Sequence, residues 1–311
     1  MTTRRDFIGL GTAAASVAAM EGFAAAGGAA PSTARTGGLK VRFLGTGAAD
    51  WTGEPDARGE MRRFTSVLLD DGILVDFTRL SKDMIPGGAA PKTIFYTHSH
   101  GDHYDPAAAV DLGVEKVFCE EGWAKEASEE FARAAKSRNG SAPTVVPLKT
   151  GETVTVDGLS FTALPASHTT GRRMESALIY LIEKPLPSGD VRLLYATDTS
   201  TIVARAARLA GIDAHVRGRG ITALVMEATC GPDHAEDYRL FQHAATGDVV
   251  RLVNVLSKTG RYLPHDPAQR VYVTHLARGL HPTQKELERR LPFPVAPAYD
   301  GLEVMFGGDA V

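Results

Sequence analysis

Four residues that could bind a metal ion stand close together in the sequence: His98, His100, Asp102 and His103. They lie between a short apolar run, residues 93–96, and the pair Asp105-Pro106, which is typical of a helix start. Imidazole nitrogen and carboxylate oxygen are ligands that Zn²⁺ and similar ions prefer. A His-rich tract can also bind metal adventitiously, but the strand before this tract and the capped helix after it favour a built metal site.

Further ligands must come from elsewhere in the chain, because four side chains cannot complete the coordination of two ions. Three more candidates each stand just beyond the end of an apolar run: His168, Asp198 and His275. A single histidine after a strand is usually structural or exposed. Three residues in the same position relative to a strand, following the first cluster, predict one shared metal site.

The order of these residues resembles the motif set of the metallo-β-lactamase superfamily, and the resemblance covers residues 40–306. It implies an α/β (α+β) fold, a four-layer αβ/βα sandwich of two facing mixed sheets with outer helices. It also implies a site for two divalent metal ions, for which Zn²⁺ is expected and Mn²⁺ or Fe²⁺ would also suit the ligands. In the family pattern the first ion is held by His98, His100 and His168, the second by Asp102, His103 and His275, and both by Asp198.

Differences from two branches of that family narrow the expected activity. The largest group of true β-lactamases has Arg in place of His103 and Cys in place of Asp198, so lactam hydrolysis is disfavoured. The flavodiiron branch has Glu in place of His100, which argues against reduction of oxygen or nitric oxide.

Other segments resemble the branch that contains tRNase Z and small phosphodiesterases. These are Leu-Gly-Thr-Gly at residues 44–47, Met-Glu-Ala-Thr at residues 226–229 followed by His243, and Tyr-Asp-Gly-Leu-Glu at residues 299–303. The last resembles the end of the cyclic-phosphate phosphodiesterase of the carbon–phosphorus lyase pathway. The sequence has no long inserted arm for tRNA and lacks the Cys-rich structural zinc element of some of those phosphodiesterases. The resemblance therefore implies a small or cyclic phosphate ester as substrate.

A mechanism follows from such a site. Two ions would lower the pKa of a shared water and give a bridging hydroxide near neutral pH, which Asp102 could orient while it binds metal. A departing alkoxide also needs a proton. The candidate donor is His243, with His234 as its competitor and a purely structural role for His243 as the alternative.

The remaining histidines and two arginines are less informative. Arg172 and Arg173, which follow His168, could contact an anionic substrate or be ordinary surface charges. His215, His265 and His281 lie in polar surroundings and are expected to be solvated.

We therefore expect a metal-dependent hydrolase, and most specifically a phosphodiesterase for a small, anionic molecule. Hydrolysis of a lactone, a thioester or another carboxyl ester on the same metals is the alternative, and a metal-binding protein without turnover is a third possibility. The net charge of −3 gives no basic field of the kind that nucleic-acid partners require.

The elements that must position these residues alternate along the chain in a way that predicts one domain, with two facing sheets and helices outside. Strands are predicted at residues 40–44, 65–69, 73–77, 93–96, 116–119, 153–156, 160–164, 177–182, 191–195, 221–226, 271–273 and 302–306. Helices are predicted from Pro106 and at residues 121–136, 201–209, 246–256 and 283–290. The two cysteines, Cys119 and Cys230, could pair in an oxidising compartment, but small buried side chains are favoured.

Residues 1–38 have the pattern of an export signal and linker, and residues 39–311 are expected to form the hydrolase domain. Arg4-Arg5 followed by Phe7, then a small-residue apolar run, resembles a twin-arginine signal. This predicts recognition by the export machinery and a periplasmic location. A mobile tail with chance arginines is the alternative. No later run is long enough to span a bilayer, so no stable membrane anchor is expected.

Overall fold

The computed structural model describes residues 35–172, 174–213 and 220–310. Within these residues the strands are β1 (Arg35–Thr36), β2 (Leu39–Gly45), β3 (Ser66–Leu69), β4 (Ile73–Val75), β5 (Thr93–Phe95), β6 (Lys116–Glu120), β7 (Thr144–Leu148), β8 (Thr153–Val156), β9 (Leu159–Pro165), β10 (Leu178–Lys184), β11 (Val191–Ala196), β12 (Ala223–Glu227), β13 (Val271–Thr274), β14 (Val295–Pro297), β15 (Glu303–Phe306) and β16 (Asp309–Ala310). The α-helices are α1 (Pro106–Leu112), α2 (Ala124–Arg138), α3 (Ala204–Leu209), α4 (Thr246–Lys258) and α5 (Gln284–Arg290), and the 3₁₀ helices are Arg79–Met84 and Tyr238–Phe241.

Two mixed sheets of seven strands carry the fold. The first has the order β15-β2-β3-β4-β5-β6-β7 and the second the order β14-β13-β12-β11-β10-β9-β8. In the first sheet β4 to β7 run parallel, and in the second β11 to β14 run parallel. A separate short pair joins β1 to β16.

Three apolar clusters separate four layers. Between the sheets, the Phe95 ring stacks on Phe161 with centroids 3.8 Å apart, and Tyr180 packs edge-on against Phe95. A second cluster packs the outer face of the second sheet against α3, α4 and α5, and a third packs the first sheet against α1 and α2. Because both faces of the central strands are covered, those strands read as continuous apolar runs rather than alternating ones. The expected α/β four-layer sandwich of two facing sheets is confirmed.

Helix α1 begins as its sequence predicts. The Asp105 carboxylate accepts a hydrogen bond from the Ala108 amide at 3.1 Å, Pro106 fills the first helical position, and Gly113 ends the helix at φ 76°. Such a cap fixes where the preceding loop, which contains the His98–His103 segment, must end.

The sequence analysis missed two edge regions. It predicted neither β7, which contains Pro147, nor β14, which is three residues long, directly follows Pro294 and ends with Pro297. Proline lowers the strand signal because it cannot donate to a ladder, and it is tolerated at sheet edges. Cys119 and Cys230 are buried and unpaired, as favoured. In the part of the chain that the structure describes, no helix is long and apolar enough to cross a membrane.

Candidate metal centre

The candidate ligands gather at one edge of the two sheets because each follows the carboxyl end of a strand. Asp76 and His98 follow the neighbouring parallel strands β4 and β5, whereas Asp198 and His275 follow β11 and β13 of the other sheet. Asp76, Asp198 and His275 have left-handed backbones, with φ of 55°, 48° and 55°. Asp and His tolerate this conformation better than most residues, and it ends each strand with an abrupt turn.

Asp198 lies between two groups of histidines. Its Oδ1 atom is 3.9 Å from His98 Nε2 and 3.8 Å from His168 Nε2. Its Oδ2 atom is 3.0 Å from His103 Nε2 and 3.4 Å from His275 Nε2. One carboxylate oxygen therefore faces each group, which is the arrangement that a bridging ligand requires.

Each group gains further ligand atoms. His100 Nδ1 is 3.3 Å from His168 Nε2, so His98, His100 and His168 form one set. Asp102 Oδ2 is 3.2 Å from His103 Nε2 and 3.3 Å from His275 Nε2, which forms a second set. Within each set, the ligand atoms lie no more than 4.8 Å from one another.

In four of the candidate ligand histidines, the ring nitrogen that faces away from the cluster (the outer ring nitrogen) has a hydrogen-bond partner, and this contact orients the ring. His103 Nδ1 donates to Asp76 at 2.8 Å, and His168 Nδ1 faces the Gln242 carbonyl at 3.4 Å. The Thr97 hydroxyl donates to Asp76 and so accepts from His98 Nδ1 at 3.0 Å. With Nδ1 occupied in this way, the Nε2 lone pair is directed at the centre, as second-shell partners of metal ligands generally arrange.

Thr229 does the same for His275. Its hydroxyl donates to Glu227 Oε2 at 2.6 Å and accepts from His275 Nδ1 at 2.8 Å. Asp76 and Thr229 were missed as partners in the sequence analysis. Asp76 directly follows the buried strand β4, as the candidate ligands follow theirs, but the strand predicted at residues 73–77 extended past it and hid this signal.

The donor set fits divalent cations. His98 Nε2 and Asp198 Oδ2 are buried without a well-formed hydrogen bond among the described residues, although Asp198 Oδ2 lies 3.0 Å from His103 Nε2, and both atoms point into the cluster. Burial lowers the pKa of His98 well below its ordinary value, which keeps the imidazole neutral as a ligand must be. Buried atoms left without a partner in this way are costly, and an ion at the cluster would satisfy them.

The carboxylates carry negative charge into this buried site. Burial would raise the pKa of Asp198, but His275, His103 and His98 outweigh it and hold that pKa well below its usual range. Burial would lower the pKa of His103, but Asp198, Asp102 and Asp76 raise it well above the ordinary value. A raised pKa means that the carboxylates favour a proton on His103, and the same carboxylates would attract a divalent cation in place of that proton.

His243 lies at the edge of the cluster and is held by Glu227. Its Nδ1 atom is 3.0 and 3.2 Å from the two Glu227 oxygens, and Glu227 is fully buried. Glu227 is fixed in turn by the amide of Thr199 at 2.5 Å. Burial would lower the pKa of His243, but the Glu227 charge raises it to about 9. His243 also lies near enough to His168 and Asp198 to join a ligand group, but its Nδ1 is already bound to Glu227.

The other candidate residues lie away from the cluster or have other partners. His234 borders a surface hollow of about 380 Å³ formed by residues 232–237, and it joins none of the ligand groups among the described residues. Arg172 donates from Nη2 to both carboxylate oxygens of Glu130, and its guanidinium lies over the Trp123 ring. Arg173 and His215 lie outside the described residues.

His281 is buried, not solvated as predicted. Its Nε2 atom donates to the Ala228 carbonyl at 2.7 Å, immediately beyond β12. The polar neighbours of His281 in the sequence hid this contact, because the covering segment comes from 52 residues earlier in the chain. His265 is half-buried, with its Nε2 atom 3.1 Å from the Asp190 carbonyl.

A model of the beta-lactamase superfamily domain matches residues 75–276, well over half of the chain. The chain belongs to this superfamily. The matched region contains every candidate ligand from His98 to His275, and it starts at the end of β4, directly before Asp76. No curated protein matches the chain.

Solved structures show the same β-lactamase-superfamily fold. A diphosphatase of the PhnP family is 20% identical with a TM-score of 0.59, covering 88% of this chain and 100% of its own. Zn²⁺-bound PqqB from Methylobacterium extorquens is 14% identical with a TM-score of 0.54, covering 85% and 99%. A long-form RNase Z from yeast is 14% identical with a TM-score of 0.55, covering 86% of this chain but only 41% of the yeast chain. At these identities the likeness is one of fold.

Proposed function

We propose that this superfamily hydrolase is a phosphodiesterase that acts on a small or cyclic phosphate ester. The observation that carries the proposal is the placement of His243, which is aimed by buried Glu227 at the edge of a two-part His/Asp cluster. A proton donor beside a two-ion site suits cleavage of an ester whose leaving group is a poor alkoxide. The solved diphosphatase of the PhnP family supports a phosphorus-centred substrate.

The proposed ligand assignment follows the geometry. His98, His100 and His168 would hold one ion, Asp102, His103 and His275 the other, and Asp198 both. Zn²⁺ is the proposed metal, because the set is imidazole and carboxylate and because PqqB of the same fold binds zinc. When bound, two such ions supply a nucleophile from water at neutral pH and neutralise charge that develops on the phosphoryl oxygens.

The protein's own residues would complete the reaction. Glu227 accepts from His243 Nδ1, so His243 Nε2 is the atom that can give a proton to the leaving oxygen. Thr229 links the same carboxylate to His275 and so holds the donor in register with the ligands. Asp102, besides binding metal, would orient the nucleophile. The substrate would be a small anionic molecule, and export to the periplasm is proposed from the sequence of the leader, which lies outside the described residues.

The first test is a substrate panel on the leaderless protein loaded with Zn²⁺. We expect an activated phosphodiester to be hydrolysed faster than the matching phosphomonoester, and a β-lactam hardly at all. Preferred hydrolysis of a lactone or thioester would replace the phosphodiesterase with the carboxyl-ester alternative. Absence of turnover on every member, with metal bound, would favour the metal-binding role.

The second test isolates His243. Removing a general acid should matter more as the leaving group becomes more basic, by up to roughly 10²–10⁴-fold. His243→Ala should therefore spare esters of acidic phenols and impair esters of alkyl alcohols, with metal content unchanged. Glu227→Gln should show a weaker version of this pattern, and His234→Ala is the matched control. Equal loss on both ester types, or leaving-group dependence in the His234 variant instead, contradicts the role of His243.

A further inference from the structure

A buried carboxylate outside the ligand set clasps the loop that carries His98 and His100. Glu175 Oε1 accepts from the Ser99 amide at 2.6 Å, and Glu175 Oε2 accepts from the Ser99 hydroxyl at 2.5 Å. The Glu175 side chain is fully buried. Both of its oxygens therefore bind the one residue that lies between two candidate ligands, and Oε2 also lies 3.9 Å from Arg172 Nε.

Glu175 belongs to the segment that follows His168, the third ligand of the same set. At its start this segment is held by Gln242, whose side-chain oxygen accepts from Thr169 N at 3.1 Å and Thr169 Oγ1 at 2.6 Å. In its middle, Arg172 pairs with Glu130 of α2 at 2.9 Å. The segment is thus anchored beside His168 and on α2, and Glu175 is the residue through which it contacts the loop that carries His98 and His100.

His100 is the candidate ligand whose orientation depends most on how its loop is held. Four histidines of the cluster have a hydrogen-bond partner on the outer ring nitrogen, as described above. His100 instead faces the cluster with Nδ1, and within residues 35–172, 174–213 and 220–310 its Nε2 has no hydrogen-bond partner. Its ring direction must therefore come from the backbone, and the neighbouring backbone amide is the one bound to Glu175.

We propose that Glu175 is a positioning residue that sets the spacing of His98, His100 and His168 for the first ion. The loop from β5 belongs to one sheet, and the segment after β9 belongs to the other, so the clasp joins two parts of the ligand set that no strand pairing connects. The second set contains no histidine in the position of His100, because His103 is aimed by Asp76 and His275 by Thr229, so we expect it to depend less on this contact. This inference rests on the proposed two-ion site.

The test is the affinity of each ion, measured by titrating Zn²⁺ into metal-free protein against a competing chelator. Outer-shell partners of metal ligands typically contribute 10–100-fold in affinity. We expect Glu175→Gln to weaken binding of one of the two ions by about that factor and to leave the other unchanged. The amide keeps an acceptor for the Ser99 N–H, but it removes the negative charge and turns the contact with the Ser99 hydroxyl from acceptor to donor. Ser99→Ala keeps the hydrogen bond from the backbone amide of residue 99 to Glu175, so it should weaken binding of the same ion by less.

Two controls separate positioning from general damage. Glu183→Gln removes a carboxylate on β10 that accepts from Arg192 of the neighbouring strand β11, and it should change neither affinity. The urea midpoint of each metal-free variant reports folding independently of metal. Unchanged affinities in Glu175→Gln, or equal weakening of both ions, overturns the proposal, and Ser99→Ala decides it if the Gln variant does not fold. A wild-type protein that never binds two ions contradicts the two-ion site itself, whatever the variants do.

Discussion

His281 should make the stability of the protein depend on pH in a defined direction. Burial lowers its pKa from 6.5 to about 4. Between pH 6.5 and about pH 4, His281 is protonated in the unfolded chain but neutral in the folded chain. The free energy of unfolding therefore falls as the pH falls through this window. The stabilisation is complete above pH 6.5 and is lost by about pH 4. The difference between the two pKa values corresponds to about 3 kcal/mol of unfolding free energy.

The perturbation is His281→Gln, which keeps an N–H donor for the Ala228 carbonyl and removes the titrating ring. Urea denaturation of both proteins, in a chelator so that metal release does not contribute, would be compared at pH 7.5 and pH 5.0. Between these pH values the wild type should lose roughly 2 kcal/mol more than the variant. The quantity to compare is the difference in unfolding free energy between wild type and variant at each pH, because the titration of carboxylates contributes equally to both proteins. A difference that does not change with pH would show that His281 is not buried as a neutral group.

Three further predictions concern metal, positioning and export. Elemental analysis of protein purified without chelator should approach two divalent ions per chain, and a value that never exceeds one after reconstitution refutes the bridging role of Asp198. Asp76→Asn should weaken metal affinity by about 10–100-fold in chelator competition, because it loosens His103; unchanged affinity would mean that Asp76 is only structural. Replacing Arg4 and Arg5 with Lys should leave the precursor in the cytoplasm on cell fractionation, and continued export would exclude a twin-arginine route.

The clustering of the candidate ligands was predictable because each of them carries a local signal. His98, Asp198 and His275 all follow short apolar strands, and the carboxyl ends of parallel strands meet at one edge of a sheet. The interpretation needed only strand ends and ligand chemistry, both of which are visible in a few residues. The alternation of elements predicted two facing sheets with outer helices, whereas the four-layer αβ/βα order was implied by the family resemblance.

The supporting contacts were not predictable, because their partners lie far apart in the chain. Glu175 reaches Ser99 across 76 residues, and nothing around either residue marks the pairing. His281 is covered because Gly231 lets the backbone of Leu280 approach closely, and a side chain at that glycine would collide with the Leu280 carbonyl. Such contacts depend on how the two sheets and their loops pack together, and a short stretch of sequence carries no information about that packing.

The division of the ligands between the two sheets has a thermodynamic consequence. The His98–His103 loop extends from the first sheet, and His168, Asp198 and His275 extend from the second. An ion held by both groups acts as a cross-link between the halves of the sandwich, and only the folded chain offers it a complete set of ligands. Once the site is saturated, each tenfold rise in free metal should then stabilise the fold by about 1.4 kcal/mol per ion. The free energy that holds the two halves of the sandwich together would thus vary with the concentration of free metal around the protein.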